Sequence, residues 1–256
     1  MIDLHSHLLF NVDDGPQTFE ESLEMLQKAA NEGITQIIST SHALHPQYDV
    51  KADTVTSQVV ELQTELDNRH IPLKIHVGHE VRLHEKIVEL CLSNEIHRLA
   101  QSNYLLLELP SNSVPHYTKN IVNALITEGI TPVIAHPERN KAIAERPSRL
   151  ENLIREGAVA QITSGSLAGH FGRGVQKVSF DLVRANLVHL YGSDAHNLST
   201  RPFLFQEGLD YLEKHKQIDA VDLFLENNER LLQDEMLIIY EPERVEKKKW
   251  WQISIK

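Results

Sequence analysis

The sequence predicts an α/β protein in which seven short parallel strands alternate with helices around a closed or nearly closed barrel. Three observations carry that expectation. Short apolar runs recur along all but the end of the 256 residues. Stretches with helical periodicity separate them, and three of those stretches end in Glu-Gly directly before the next apolar run. Buried parallel strands read as short continuous apolar runs, and strands alternating with helices define β/α architectures.

The apolar runs are residues 2–4, 35–39, 73–77, 104–107, 132–135, 159–162 and 187–191. Asn31-Glu32-Gly33, Thr127-Glu128-Gly129 and Arg155-Glu156-Gly157 precede the second, fifth and sixth of them. Glycine there suits the left-handed position just past a helix end, which other residues adopt at a cost. Thr18-x-x-Glu21 and Ser148-x-x-Glu151 have the spacing of a capping box, so a helix is expected to start at each. Seven such units favour a barrel over an open sheet. No linker divides the chain, giving one domain over 1–241 and a tail over 242–256 that lies outside the core. The tail contains Lys247-Lys248-Lys249-Trp250-Trp251. Its basic and aromatic character suits at most a peripheral contact with an acidic membrane or partner, and a solvated terminus is the plainer reading.

Composition narrows the function classes. A hydrophobic fraction of 41% and a charged fraction of 24% are ordinary for a globular chain. The net charge of −11 argues against a nucleic-acid surface. A single cysteine, Cys91, excludes a disulfide framework and a thiolate zinc site. No apolar run is long enough to span a membrane and no signal-peptide pattern opens the chain, so a cytoplasmic protein is expected.

The residues that follow each run carry the chemistry. His5 and His7 stand at i and i+2, on one face of an extended segment, so both imidazoles can meet one ion. Asp13-Asp14 follow in a Gly15-Pro16 turn. The second run leads into His42, the third into His79-Glu80, the fourth into Glu108, the fifth into His136, and the seventh into Asp194-Ala195-His196. Six of the seven runs thus present a histidine or carboxylate at their carboxyl end, where β/α barrels build active sites. A carboxylate that closes a buried strand is costly unless paired or bound to metal. Glu108 has a salt bridge as its rival reading, His42 a cap or core role, and Asp194 an Asx turn. Together His5, His7, Asp14, His42, Glu80, Glu108, His136, Asp194 and His196 exceed what one tetrahedral zinc needs. They suit two or three ions. Imidazole with carboxylate and no sulfur favours Mn, Fe or Zn. The other ten histidines, His79 and His189 among them, are expected mostly on helices, loops or outward strand positions with solvated roles.

With these motifs in hand, the chain resembles the PHP (polymerase and histidinol phosphatase) superfamily. Met1-Ile-Asp-Leu-His-Ser-His, Val12-Asp-Asp-Gly-Pro, Ala135-His-Pro-Glu-Arg-Asn, Gln161-Ile-Thr-Ser-Gly-Ser-Leu-Ala-Gly and Gly192-Ser-Asp-Ala-His-Asn are similar to one branch of it. That branch is the bacterial capsule-type protein-tyrosine phosphatases of the CpsB/CapC/YwqE type, and the likeness spans residues 1 to about 235. The resemblance implies a distorted β/α barrel and a manganese-preferring trinuclear centre. It also implies dephosphorylation of a bacterial tyrosine autokinase that governs capsule or exopolysaccharide synthesis. The nine residues above match the family's ligand motif, and Arg139 and Arg201 carry over as well. His79 beside Glu80 is a small departure from the branch, and the tail beyond Glu241 is unmatched.

The expected reaction is metal-assisted hydrolysis of a phosphotyrosine ester. Arg139 and Arg201 offer planar, bidentate contacts to phosphate oxygens, with a rim salt bridge as the rival reading. His42 or His196 would assist if not committed to metal. A thiol mechanism is rejected: Arg98 falls one position beyond the spacing a thiolate cradle needs after Cys91, and no glycines line the gap. Cys91 reads instead as a small apolar helix residue. Two alternatives stay open, a small-molecule phosphomonoesterase of the histidinol-phosphate kind and a non-catalytic metal-binding module.

Overall fold

A computed structural model describes residues 1–245. The strands are β1 (Ile2–Ser6), β2 (Gln36–Ser39), β3 (His42–Ala43), β4 (Lys74–Val77), β5 (Glu80–Arg82), β6 (Tyr104–Glu108), β7 (Thr131–Ala135), β8 (Val159–Thr163) and β9 (Leu190–Gly192). All pairings are parallel, in the orders β1-β2-β4 and β3-β5-β6-β7-β8-β9. A parallel bridge between Ser6 and Ala195 joins the last strand to the first. His7 N donates to Ala195 O at 2.8 Å and Asp194 N to His5 O at 2.7 Å across that seam. The result is a distorted seven-unit β/α barrel.

The seven apolar runs all form strands, and two of them are followed at once by a second short strand. Beyond the second run the chain passes Thr40-Ser41 from β2 into β3, and beyond the third it passes Gly78-His79 from β4 into β5. The two strands of each pair belong to different sheets, so the barrel turns a corner there. Gly78 permits the bend because a Cβ at that position would lie 2.7 Å from Ile38 Cγ2. Thr40 bridges the break: its amide donates to Ser6 O, and its hydroxyl accepts from Ser6 N at 3.0 Å.

The helices are α1 (Phe19–Asn31), α2 (Ala52–Asn68), α3 (Ile87–Leu92), α4 (Thr118–Thr127), α5 (Lys141–Glu145), α6 (Ser148–Arg155), α7 (Ser164–Ala168), α8 (Arg173–Arg184), α9 (Phe205–Lys214) and α10 (Ile218–Leu232). Thr18 and Glu21 form the expected capping box on α1. Ser148 does not cap α6. It is the first helical residue, Pro147 takes the cap position, and no side chain closes that end; proline's fixed φ and missing N–H fit a helix start without one. Gly33, Gly129 and Gly157 follow the helix ends at φ +84°, +74° and +104°. Cys91 lies buried in α3, and burial pushes its thiol up to about 11.

Alternation along the strands separates two cores. Tyr104 and Leu106, with Ile38, Val133 and Val159, fill the barrel, while Leu105, Leu107 and Ile134 face the helices. Leu231 of α10 packs into the inner cluster. From the same helix, Asn228 accepts from Tyr191 N at 3.2 Å and donates to Ile2 O at 2.9 Å and Tyr191 O at 2.8 Å. One buried amide therefore ties β1 to β9. At the chain's described end, Glu243 N donates to Ala185 O at 2.8 Å. The Lys247–Trp251 motif lies outside the described residues. Among those described, no helix is long and apolar enough to cross a membrane.

Candidate metal centre

The inner face that holds Tyr104 and Leu106 continues, two residues on, to Glu108. That parity shows how an apolar strand delivers a carboxylate to the barrel mouth. His136 and Asp194, just past β7 and β9, adopt φ of +32° and +55°. Left-handed backbone in non-glycine residues is costly and collects at functional sites. Here it turns each side chain back over the mouth.

Three overlapping sets of side-chain atoms result: His7, Asp14, His42 and His196; His5, His7, Glu80 and Asp194; and His42, Glu80 and Glu108. Within each set every contributing atom lies within 4.8 Å of the others. His5 Nε2 is 3.2 Å from Asp194 Oδ1, and His7 Nε2 is 3.4 Å from Glu80 Oε2. His42 Nδ1 is 3.2 Å from Glu80 Oε2, and His196 Nε2 is 3.2 Å from Asp14 Oδ1. His136 stands outside the three sets but reaches Glu80 Oε1 with its Nε2 at 2.7 Å. Glu108 belongs to the third set and also faces Arg82 Nε at 3.4 Å.

The arginines converge on the same carboxylates. Arg139 Nη2 contacts Asp194 Oδ2. Arg201 reaches Asp194 Oδ2 at 2.8 Å and Asp14 Oδ2 at 3.3 Å. Arg139 sits on a short helical turn, Pro137–Arg139, held to β8 by Glu138, which accepts from the Thr163 hydroxyl at 2.8 Å and from Thr163 N at 3.2 Å. Its guanidinium lies 5.2 Å from the centre of the Phe171 ring. Arg201 is placed by a tight turn in which Asn197 Oδ1 accepts from the amides of Ser199, Thr200 and Arg201.

Sequence reasoning missed the residues that hold the histidines in place. Asp13 is buried and accepts from His7 Nδ1 at 3.0 Å and from His42 N at 3.2 Å. Gln161 Oε1 lies 3.1 Å from His5 Nδ1, and the Asp194 carbonyl lies 3.0 Å from His196 Nδ1. With Nδ1 donating to that acceptor, each ring in its neutral form turns the lone pair of Nε2 inward, the arrangement usual for metal-ligating imidazole. Asp3 braces the seam by accepting from Ser193 N at 2.8 Å and Ser193 Oγ at 2.6 Å. Burial outweighs those bonds and raises its carboxyl to about 6. Asp3 was discoverable, because residues 3, 5 and 7 share one strand face. Gln161, the lone amide in Val-Ala-Gln-Ile-Thr, was a fainter signal.

Two further histidines depart from the solvated roles expected of them. His79 is fully buried, donating from Nε2 to Val50 O at 3.1 Å and accepting His97 N at Nδ1 at 2.9 Å. His189 is buried as well, with Nδ1 accepting Ala160 N at 3.2 Å. Backbone partners satisfy both nitrogens of His79 and the Nδ1 of His189, which a sequence pattern does not reveal.

The centre fits cations on its own chemistry. His5 Nε2, His7 Nε2, His42 Nδ1, His196 Nε2, Asp194 Oδ1 and Glu108 Oε2 are all buried without a hydrogen-bond partner. An unsatisfied buried polar atom costs about 1–3 kcal/mol, and six converging on one space require a shared partner. Burial disfavours the His5 imidazolium, yet the charges of Asp194 and Glu80 hold its pKa well above the ordinary value. Burial likewise opposes His7, while Asp13 raises it to about 9. Glu80 and Asp194 stay well below the carboxylate range despite burial, through His5 and His136 for Glu80 and through Arg139 and Arg201 for Asp194. Glu108 is raised by burial and by the Glu80 charge. Imidazole nitrogen and carboxylate oxygen without sulfur match divalent ions of the Mn, Fe and Zn group.

Fold and site together define the class: a distorted β/α barrel whose strand ends assemble a histidine–carboxylate centre of metal-binding type. The chain belongs to the capsular polysaccharide synthesis CpsB/CapC family, whose sequence profile matches residues 1–233. It is 39% identical over 97% of its length to the tyrosine-protein phosphatase YwqE of Bacillus subtilis (strain 168), covering 98% of that protein. It is 37% identical over 98% of its length to the putative tyrosine-protein phosphatase CapC of Staphylococcus aureus, again covering 98% of it. Among solved structures, it superposes with a TM-score of 0.94 and 38% identity on a chain from the crystal structures of YwqE from Bacillus subtilis and CpsB from Streptococcus pneumoniae. That match covers 96% of this chain and 100% of the other, and those proteins are described as unique metal-dependent tyrosine phosphatases.

Proposed function

We propose that this chain is a metal-dependent protein-tyrosine phosphatase acting on a phosphorylated bacterial tyrosine kinase in capsule or exopolysaccharide synthesis. The observation that carries the reading is the convergence of six unpartnered buried atoms beneath two arginines. His5, His7, Asp14, His42, Glu80, Glu108, His136, Asp194 and His196 are assigned as ligands to two or three ions, with manganese the favoured metal. When bound, such ions supply Lewis-acid stabilisation of phosphoryl oxygens and a source of hydroxide near neutral pH. Arg139 and Arg201 are assigned to the phosphate, where planar guanidinium forks align it and offset its charge. Once a phosphate occupies the mouth, its oxygens take the place of Asp194 and Asp14 as their partners.

The cavity above the centre, about 490 Å³, has His45, Tyr48 and Phe171 in its walls. These rings suit a phenyl ester. Phenolate is a fair leaving group, so little acid assistance is needed; His42 and His196 are the side chains placed to give it. For His196 the bond from Nδ1 to the Asp194 carbonyl leaves Nε2 as a lone pair, which favours ligation over proton donation. Residues 1–241 form the phosphatase domain in this reading, with 242–256 a tail that makes at most peripheral membrane contact. The setting is the cytoplasm, where the kinase domain is reached.

The test is turnover of a phosphotyrosyl peptide against histidinol phosphate, with manganese present and after chelation. Peptide turnover that needs the metal is expected. Undiminished activity after chelation, or turnover of histidinol phosphate alone, would sink the reading.

A further inference from the structure

Beside the phosphatase cavity lies a larger groove of about 1090 Å³, walled by the start of α4 and by α5 and α6. Lys119, Lys141, Arg146, Arg149 and Arg155 line it, against two acids, Glu145 and Glu156. Five basic against two acidic side chains give the lining a positive bias, on a chain whose net charge is −11. Some of the cations are engaged. Lys119 pairs with Glu156 at 2.5 Å, and Arg155 with Glu151 at 3.1 Å and Glu241 at 2.9 Å. Arg149 donates from Nη1 to Ala142 O at 3.0 Å, which fixes its guanidinium without neutralising it. Lys141, Arg146 and Arg149 are not the partners of Glu151, Glu156 or Glu241, which pair with Lys119 and Arg155.

The groove and the phosphatase cavity share one sill. Ser111 and Asn140 line the cavity, while Asn112 and Lys141 line the groove. The sill is rigid: Lys141 N donates to Ser111 O at 2.9 Å, and Asn140 Nδ2 donates to Pro110 O at 2.9 Å and Ser113 O at 3.1 Å. Arg139 on one side and Lys141 on the other are two residues apart. A polypeptide with a phosphotyrosine at the metal centre that continues over this sill enters a basic channel within a few residues.

We propose that the groove binds an acidic stretch of the substrate polypeptide next to its phosphotyrosine, so that Lys141, Arg146 and Arg149 determine which phosphotyrosines are selected. The inference rests on the phosphatase reading of the neighbouring site. Complementary charge of this kind sets partner choice and association rate, and salt weakens it.

Binding is measured on the full chain with manganese, using two fluorescent peptides that carry a non-hydrolysable phosphonate in place of the phosphotyrosine phosphate. One peptide has Asp and Glu flanks, the other Asn and Gln. The acidic peptide should bind about tenfold more tightly at low ionic strength, and the gap should close in about 0.5 M salt. Lys141→Glu combined with Arg146→Glu should weaken the acidic peptide about tenfold and leave the neutral one unchanged. Hydrolysis of free phosphotyrosine should be equal in both proteins. Equal affinity for the two peptides in the wild type, or an unchanged acidic affinity in the variant, overturns the proposal; so does a variant that also loses free phosphotyrosine turnover. Discrimination between the peptides without any hydrolysis of phosphotyrosine would instead overturn the phosphatase reading and leave the groove standing.

Discussion

Replacing Arg201 by lysine separates charge from shape at the barrel mouth. The guanidinium reaches two carboxylates at once, Asp194 at 2.8 Å and Asp14 at 3.3 Å, through different nitrogens. Those two nitrogens are the ones a bound phosphate would engage. Lysine keeps the positive charge but ends in one nitrogen, so one of the two contacts is lost. A hydrogen bond to a charged group is worth about 1.5–3 kcal/mol, and about 1.4 kcal/mol is a factor of ten. The expected loss in kcat/KM for a phosphotyrosyl peptide is therefore about 10- to 100-fold. The turn should survive, because Asn197 holds it through backbone amides and Arg201 O accepts His196 N at 2.9 Å. Steady-state kinetics with saturating manganese, paired with elemental analysis of the same preparation, make the measurement. A drop in kcat at constant KM would show that the lost contact belongs to the transition state. Wild-type kcat/KM with full metal content would refute the assignment to phosphate. Loss of metal in step with activity would also refute it, by making Arg201 a support for the ions.

Three further outcomes are expected. Asp13→Asn removes the charge that holds the His7 Nδ1 proton, and metal affinity should fall about 10- to 100-fold, read by titration of the ion into stripped protein; unchanged affinity would leave Asp13 with only its backbone-bracing bonds from Gly15 N and His42 N. Asn228→Ala strips three bonds from the seam between β1 and β9, at about 1 kcal/mol each, so urea denaturation should show a loss of about 3 kcal/mol; a loss below about 1 kcal/mol contradicts the clamp. Burial lowers His189 from 6.5 to about 4, so the unfolded chain takes up its proton first as pH falls. Its contribution is full above pH 6.5 and is lost towards pH 4, about 3 kcal/mol in all. Stability curves for His189→Leu should be flatter across that window, and curves parallel to the wild type would count against it.

The barrel was legible because buried strands and helix ends leave local signatures. Apolar runs at 104–107 and 132–135 and the glycines after Glu32, Glu128 and Glu156 depend only on neighbours in sequence. The histidines and carboxylates at the strand ends were legible for the same reason, since Glu108 after three leucines is anomalous in any fold. The short strands that follow the second and third runs were not legible, because they arise where the chain changes partners, and Gly78 acquires its meaning only against Ile38. Asp13 and Gln161 escaped notice because each works through a ring nitrogen that the chain brings to it from elsewhere. His79 and His189 looked polar and therefore exposed. Their burial depends on carbonyls and amides supplied by distant backbone, at Val50, His97 and Ala160.

The seam joining β1 to β9 bears on how the protein comes into being. Asp3 and Ser193 stand 190 positions apart along the chain, yet their bonds brace the strand that carries His5 and His7. During synthesis the first strand emerges early and its partner late. Until β9 clears the ribosome, the amino-terminal histidines have no Asp194 or His196 opposite them. Contacts this distant are slow to form and are among the last to be rewarded. Completion of the centre is therefore tied to completion of the fold: a chain stalled before residue 194 has seven of the nine assigned residues but lacks His196 from the first set and Asp194 from the second.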